Sequence, residues 1–256
     1  MNTDFSERLA ELENLIDKSH HTLIFTGAGI STLSGIPDFR SPNGVYSEKW
    51  HGLDVEEVLS IDFFKQHPEI FYEWAKPFVY SLEKYQPNVV HRVAAKLEAL
   101  GLCQGVYTQN IDRLHQRAGS KRVYELHGSA ANYHCLDCRR KFPDTEIDPA
   151  VKRGEVPKCA KCGGLLKPDI VFYGEPLDEE MLGNADLELR RTDLLLVLGS
   201  SLTVYPAAAM PEITARSGGK VVIVNAQPTR LDRLAKLRFD DLELVFAALE
   251  SRYGGD

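Results

Sequence analysis

The chain has 256 residues, of which 43% are hydrophobic and 26% charged, with 19 Gly and 13 Pro. This composition excludes a disordered, collagenous or coiled-coil protein, and the length fits one large domain or a domain carrying a smaller module. Its 30 basic and 37 acidic residues leave a formal net charge of −7, the wrong sign for a protein that lives by wrapping nucleic-acid backbone.

At the N-terminus, Met1–Glu7 shows no basic stretch leading into an apolar one, so no secretory signal is expected. No run approaches the ~18 apolar residues of a spanning helix. The expected setting is the cytoplasm, without a membrane, where thiols stay reduced. Phe5, Leu9, Leu12 and Ile16 share one helical face. Short apolar runs follow at Thr22–Thr26, Gly105–Thr108, Leu194–Leu198, Val221–Asn225 and Leu242–Phe246. Each reads as a strand buried on both faces of a parallel sheet. Between them, Asn88–Leu100 carries Val89, Val93, Leu97 and Leu100 on one face, with Asn88 as cap and Gly101 past the end. A second helix is expected from Ala207 to Arg216. Strands alternating with helices predict an α/β fold with a Rossmann-like doubly wound parallel sheet.

Two stretches break the alternation. Residues 37–86 are rich in aromatics and Pro, with helical pieces such as Val55–Gln66, and residues 134–167 carry four cysteines. The expected organisation is a Rossmann-like domain of residues 1–36, 87–133 and 168–256, a helical cofactor-loop insertion at 37–86, and a zinc module at 134–167.

Cys135-x-x-Cys138 and Cys159-x-x-Cys162 stand twenty residues apart. Two such pairs in a reduced setting point to a tetrahedral zinc site. Four thiolates close the coordination sphere, so the one zinc per chain is expected to be structural, with no place for an activated water. Residues 134–167 hold 8 Lys/Arg against 5 Asp/Glu, a pattern open to a solvated face or to a partner surface. Cys103, the odd thiol, reads as packed core.

Gly27-Ala28-Gly29-Ile30-Ser31-Thr32 follows the first strand. The glycines would let backbone approach a pyrophosphate at a helix N-terminus, and the same pattern also fits a tight turn. Thr32 replaces the third glycine of the dinucleotide fingerprint, and no acidic residue closes the unit, so an ordinary dehydrogenase fits poorly. Thr108-Gln109-Asn110-Ile111-Asp112, Gly199-Ser200-Ser201 and Asn225 lie at other strand ends. Ligands of doubly wound sheets bind there, and amides, hydroxyls and a carboxylate suit ribose and a carboxamide. His127 in Leu126-His127-Gly128 is open to two readings, a structural histidine or a base near neutrality.

Taken together, Gly27–Ser31, Pro37-Asp38-Phe39-Arg40, Thr108–Asp112, His127-Gly128, the two cysteine pairs and Gly199-Ser200-Ser201-Leu202 fall in the order and spacing of the sirtuins. The resemblance covers about residues 10 to 250 and is nearest the bacterial and archaeal members. It implies NAD as a co-substrate rather than a redox carrier. The acetyl-lysine oxygen would attack the ribose as nicotinamide leaves, and His127 would act as general base on the alkylimidate through the ribose hydroxyls. The products would be free lysine, nicotinamide and O-acetyl-ADP-ribose.

By the same resemblance, Asn110 and Asp112 would hold the nicotinamide ribose and carboxamide with Ile111 beside them, and Phe39 would shield the reacting carbon. Ala28, Gly29, Thr32, Asp38, Arg40, Gln109 and Gly199 would be other cofactor-contacting positions. Ser200, Ser201 and Asn225 match the adenosine side. Acetyl-lysine peptides and proteins are the implied partners, lying as an added strand between Val171–Glu175 and Leu202–Tyr205. NAD and peptide would meet in the cleft between the layers. Direct nucleic-acid binding is not expected, and the motifs say nothing of oligomeric state.

This chain departs from the family pattern in three places. Ser200 stands where Thr is common, and Tyr173 where Phe is commoner. Phe71-Tyr72-Glu73-Trp74-Ala75 lacks the Arg that grips an acidic acyl group, so a neutral acyl group is favoured. Two rival readings share these motifs. One is an enzyme of other specificity, either another neutral-acyl deacylase or a mono-ADP-ribosyltransferase. The other is a non-enzymatic NAD-sensing zinc adaptor.

Overall fold

The apolar runs become strands because neighbouring chain covers both of their faces. In a computed structural model describing residues 3–42 and 44–255, nine strands form: β1 Thr22–Thr26, β2 Gly105–Thr108, β3 Val123–Glu125, β4 Gly128–Cys135, β5 Lys141–Pro143, β6 Leu166–Ile170, β7 Leu194–Leu198, β8 Lys220–Val224 and β9 Leu237–Phe239. The chain divides into two compact units, one of residues 1–35, 86–126 and 177–256, the other of 36–85 and 127–176. No helix of the described residues is long and apolar enough to cross a membrane.

In the first unit, six parallel strands run in the order β3-β2-β1-β7-β8-β9. From β1 the chain steps outward to β2 and β3, and from β7 outward the other way. The direction of winding therefore reverses between β1 and β7, and a doubly wound sheet opens a crevice at the carboxyl ends of such a pair. Alternation sends Ile24, Val106, Leu194, Leu196, Leu198, Val222 and Val224 into a core with Leu12, Ile16, Val90, Val93, Leu97, Val245, Phe246 and Leu249. These last come from helices Thr3–Lys18, Val89–Ala99 and Leu242–Tyr253. Helix Met210–Arg216 packs on β7 and β8 and against helix Glu179–Arg191.

Asn88 caps its helix as its side chain accepts from Val90 N–H at 3.0 Å, and Gly101 takes φ +73° past the end. Elsewhere the structure corrects the sequence reading. Leu242–Phe246 is the first turn and a half of a helix, not a strand. Asp241 caps it, accepting from Leu244 N–H at 2.8 Å, and Val245, Phe246, Leu249 and Tyr253 form its buried face. A five-residue apolar run has too little length for its period to tell helix from strand. The segment after β1 is a single 3₁₀ stretch, Ala28–Ser34, ended by Gly35 at φ +86°, rather than a longer helix. Val55–Gln66 splits into two helices at Leu59-Ser60, and β8 lies one residue earlier than expected.

The second unit pairs β5-β4-β6 antiparallel with helices Ile61–Gln66, Pro68–Phe78 and Asp144–Lys152. Its interior is aromatic. Phe64, Phe71 and Phe172 meet with ring centroids 4.8 to 5.2 Å apart, and Tyr72 hydroxyl donates to the Leu166 carbonyl at 2.7 Å. Edge-to-face rings of this kind add modestly to the burial of their area.

Candidate active site

At the crevice between β1 and β7, two glycine-bearing loops touch backbone to backbone. Gly27 N–H donates to Leu198 O at 3.0 Å and Gly29 N–H to Gly199 O at 2.8 Å. A Cβ on Gly27 or Gly29 would lie 2.8 Å from the Gly199 carbonyl, and Gly199 itself sits at φ +59°. Glycine is thus required here first by the close approach of the two loops.

Thr108–Asp112, leaving β2, supplies the polar groups. Asn110 Nδ2 donates to Gly27 O and to Ser31 Oγ, both at 3.1 Å. Ser31 Oγ donates to Asp112 Oδ2 at 2.6 Å, while Leu114 N–H donates to Oδ1 at 2.9 Å. All three side chains are buried. Burial is the largest influence on Asp112 and holds its carboxyl above the usual range, with the Ser31 hydroxyl, Leu114 N–H and Arg117 pulling the other way. Gln109 Nε2 donates to Ser200 Oγ at 3.2 Å. Ser31 was not singled out by sequence. A small hydroxyl residue inside a glycine loop was the available signal.

The other cofactor candidates of this unit do local work. Thr32 Oγ1 donates to Gly29 O at 2.8 Å, Ser201 Oγ pairs with Thr203 Oγ1 at 3.0 Å, and Asn225 Nδ2 closes its own turn on Gln227 O at 2.7 Å. Ala28 and Ile111 are half-buried.

In the second unit, Asp38 accepts from Ser41 N–H at 2.9 Å. Phe39 packs on Tyr46 with centroids 5.2 Å apart. Arg40 lies over the Tyr46 ring and reaches Tyr173 hydroxyl at 3.2 Å and Glu56 at 3.4 Å. His127 is half-buried at the entry to β4, and its carbonyl accepts from Val171 N–H at 2.8 Å. Gly128 next to it stands at φ +73°, where a Cβ would run into the Asp169 carbonyl. Glycine there serves the β4–β6 contact.

Residues 171–175 make a single bridge rather than a strand, with Tyr173 N–H donating to Leu59 O at 2.9 Å and its carbonyl accepting from Ile61 N–H at 3.0 Å. Lys167, which the sequence reading passed over, is buried beneath this segment. Its Nζ donates to Pro168 O, Ile170 O and Glu175 at 3.1, 2.7 and 2.9 Å.

The sulfurs of Cys135, Cys138, Cys159 and Cys162 all lie within 4.8 Å of one another. Cys135 to Cys162 is 3.5 Å and Cys138 to Cys159 is 3.7 Å. Four thiolates about 2.3 Å from a tetrahedral zinc stand about 3.8 Å apart, so the four are positioned to hold one zinc ion, with no ligand position left for water. Cys103 is fully buried, as expected of a core thiol.

A doubly wound sheet with a crevice lined by glycine, amide, carboxylate and hydroxyl, and a four-cysteine module beside it in sequence, define a nucleotide-binding α/β protein with a structural metal. The model of the Sir2 family matches residues 27–206, and the chain belongs to that family. It is 46% identical over 248 residues to an NAD-dependent protein deacetylase of Thermotoga maritima, covering 97% of this chain and 99% of that one. It is 44% identical over 227 residues to NAD-dependent protein deacylase 2 of Archaeoglobus fulgidus, covering 88% of each. Among solved structures it resembles a Sir2 with a deacetylated p53 peptide and 3'-O-acetyl-ADP-ribose, with TM-score 0.89 at 46% identity over 96% of this chain and 98% of that one. Sir2Tm bound to a propionylated peptide follows at TM-score 0.86 and 44% identity, with the same coverage.

Proposed function

We propose that this protein removes acetyl groups from lysine side chains of proteins at the expense of NAD, releasing nicotinamide and O-acetyl-ADP-ribose. The observation that carries the reading is the buried Asn110–Ser31–Asp112 cluster at the strand-order reversal. A fixed amide, a hydroxyl and a carboxylate there match the hydrogen-bonding edges of a carboxamide and a ribose. Membership of the Sir2 family and the activities for which its relatives are named support it.

Bound NAD supplies an electrophilic ribose carbon with a good leaving group. The chain's residues do the rest. Asn110 and Asp112 orient the nicotinamide end, Ser200, Ser201 and Asn225 border the adenosine end, and Phe39 keeps water from the reacting carbon. Ala28, Gly29, Thr32, Asp38, Arg40, Gln109, Ile111 and Gly199 complete the cofactor set. His127 Nε2 or Nδ1 takes the proton from a ribose hydroxyl. Zinc on the four cysteines holds the module and takes no part in the step.

A neutral acyl group suits the site. Tyr72 hydroxyl is committed to Leu166 O, and position 75 is a buried Ala with no charge for an acyl carboxylate. A cytoplasmic placement belongs to the same reading.

Mass spectrometry of an acetyl-lysine peptide, with and without NAD, tests the proposal on wild type and His127→Ala. NAD-dependent loss of acetyl with O-acetyl-ADP-ribose among the products, and none of either in the variant, is the expected result. A peptide heavier by one ADP-ribose would place the enzyme among the transferases instead.

A further inference from the structure

Phe39 is carried by a loop of the second unit that closes on itself. Val45 N–H donates to Asp38 O at 2.8 Å, Tyr46 N–H to Phe39 O at 3.0 Å and Gly44 N–H to Ser41 O at 2.8 Å. A Cβ on Gly44 would stand 2.7 Å from the Phe39 carbonyl carbon, so the turn folds tightly back on the residue it presents. The rings of Phe39 and Tyr46 lie 5.2 Å apart, and the Arg40 guanidinium lies 5.1 Å from the centroid of the same Tyr46 ring. Where Tyr46 goes, Phe39 goes.

Tyr173 stands as a fixed post beside this loop. Its N–H donates to Leu59 O at 2.9 Å and its carbonyl accepts from Ile61 N–H at 3.0 Å, so both of its backbone groups are held between helices Val55–Val58 and Ile61–Gln66. The residue is 36% exposed, yet its hydroxyl is not left to water. It accepts from Arg40 Nη2 at 3.2 Å and lies 2.9 Å from the Tyr46 hydroxyl. A phenol has one proton and two lone pairs. Tyr173 can therefore take the Arg40 proton and still share one hydrogen bond with Tyr46, whichever phenol donates it. A cation on the Tyr173 oxygen polarises its O–H and strengthens that bond. Glu56, on helix Val55–Val58, accepts from the same Arg40 nitrogen at 3.4 Å.

We propose that the Tyr173 hydroxyl fastens the loop of residues 38–46, through Arg40 and Tyr46, and so holds Phe39 where it shields the reacting carbon. Tyr173 is a positioning residue on this account, acting through Tyr46. The hydroxyl that distinguishes this chain from the commoner Phe is spent on the loop rather than open to the acyl chain. The positioning role rests on the proposed use of Phe39. When Phe39 leaves its place, water takes the part of the acetyl oxygen. The bond from the ribose carbon to nicotinamide breaks, with the electron pair leaving on nicotinamide. A carbon–oxygen bond to water forms, the water's proton goes to solvent, and the products are nicotinamide and ADP-ribose with the lysine still acetylated.

Trypsin reads the tie directly, because it must take hold of the Arg40 side chain to cut before Ser41. Tyr173→Phe and Tyr46→Phe each remove one oxygen and leave the rings to pack. Cleavage of the Arg40–Ser41 bond in the full chain without NAD, followed by mass spectrometry, is expected to be about tenfold faster in Y173F and about fivefold faster in Y46F. The double variant is expected to match Y173F within about twofold, since the two hydroxyls share one bond. A change below about twofold in either single variant, or effects that multiply in the double, overturns the tie. With NAD and an acetyl-lysine peptide, nicotinamide formed per acetyl group removed is expected to be about one in wild type and at least about two in Y173F, with ADP-ribose making up the difference. A ratio that stays near one in Y173F overturns the positioning role. A wild-type chain that releases no nicotinamide removes the functional reading and the positioning role together, while the cleavage rates still decide the tie.

Discussion

Ser31 Oγ donates to Asp112 Oδ2 at 2.6 Å and accepts from Asn110 Nδ2 at 3.1 Å. One buried hydroxyl thus joins the loop after β1 to two side chains of the loop after β2. Replacing it by Ala leaves a buried amide hydrogen and a buried carboxylate short of a partner, at about 1–3 kcal/mol. NAD binding by Ser31→Ala is expected to weaken roughly tenfold, read by calorimetric titration.

The raised pKa of Asp112 has a sign for stability. Folding favours its protonated form, so its contribution to stability falls as pH rises from 3.8 through the raised folded value. At neutral pH the carboxylate is a cost to the fold. Asp112→Asn is expected to melt no lower than wild type at pH 7, and any advantage is expected to vanish toward pH 3.8, where wild-type Asp112 is protonated when folded. Nicotinamide release by the same variant is expected to fall at least about a hundredfold. Melting curves across pH, set beside activity, check both.

His127→Ala shortens a half-buried side chain and keeps the carbonyl that accepts from Val171 N–H at 2.8 Å. Its melting temperature is expected to stay within a few degrees of wild type, while deacetylation falls by about 10²–10⁴, the usual contribution of a general base. A variant that loses the fold along with activity would contradict the assignment.

Removal of zinc is expected to unfold the four-cysteine module. Apparent binding free energies of structural zinc sites are about 10–16 kcal/mol, more than a typical domain's stability. With a thiol reagent, the metal-loaded chain is expected to react slowly, and addition of a chelator to expose four thiols. Cys103 is fully buried, its thiol pushed up to about 12 by burial, and is expected to react only on global unfolding.

Lys167→Met strips three acceptors, Pro168 O, Ile170 O and Glu175, of their donor. Breaking a buried pair this way costs about 3–5 kcal/mol. The cost is expected to appear as a lower melting temperature and a raised KM for peptide, because Glu175 also accepts from Phe172 N–H at 2.8 Å within the same turn.

Sequence alone was enough for whatever depends on near neighbours. The strands Thr22–Thr26, Gly105–Thr108 and Leu194–Leu198 are apolar through most of their length because both faces are covered, and burial writes itself into local composition. The Asn88 cap and the x-x spacing inside each cysteine pair are likewise written within a few residues. Where the local signal was too short it misled, as at Leu242–Phe246, whose helical face shows only with Leu249 and Tyr253 included.

Only the tertiary structure decided the reversal between β1 and β7, because parallel strand order is set by packing between segments far apart in the chain. The same holds for the contacts that build the site. Gly29 meets Gly199, Ser31 meets Asp112, and Tyr46 meets Tyr173 across separations that no local pattern spans. Residue types reveal which chemistry the chain can offer, but hydrogen bonds act over about 3 Å, and only the folded backbone brings those groups within that reach.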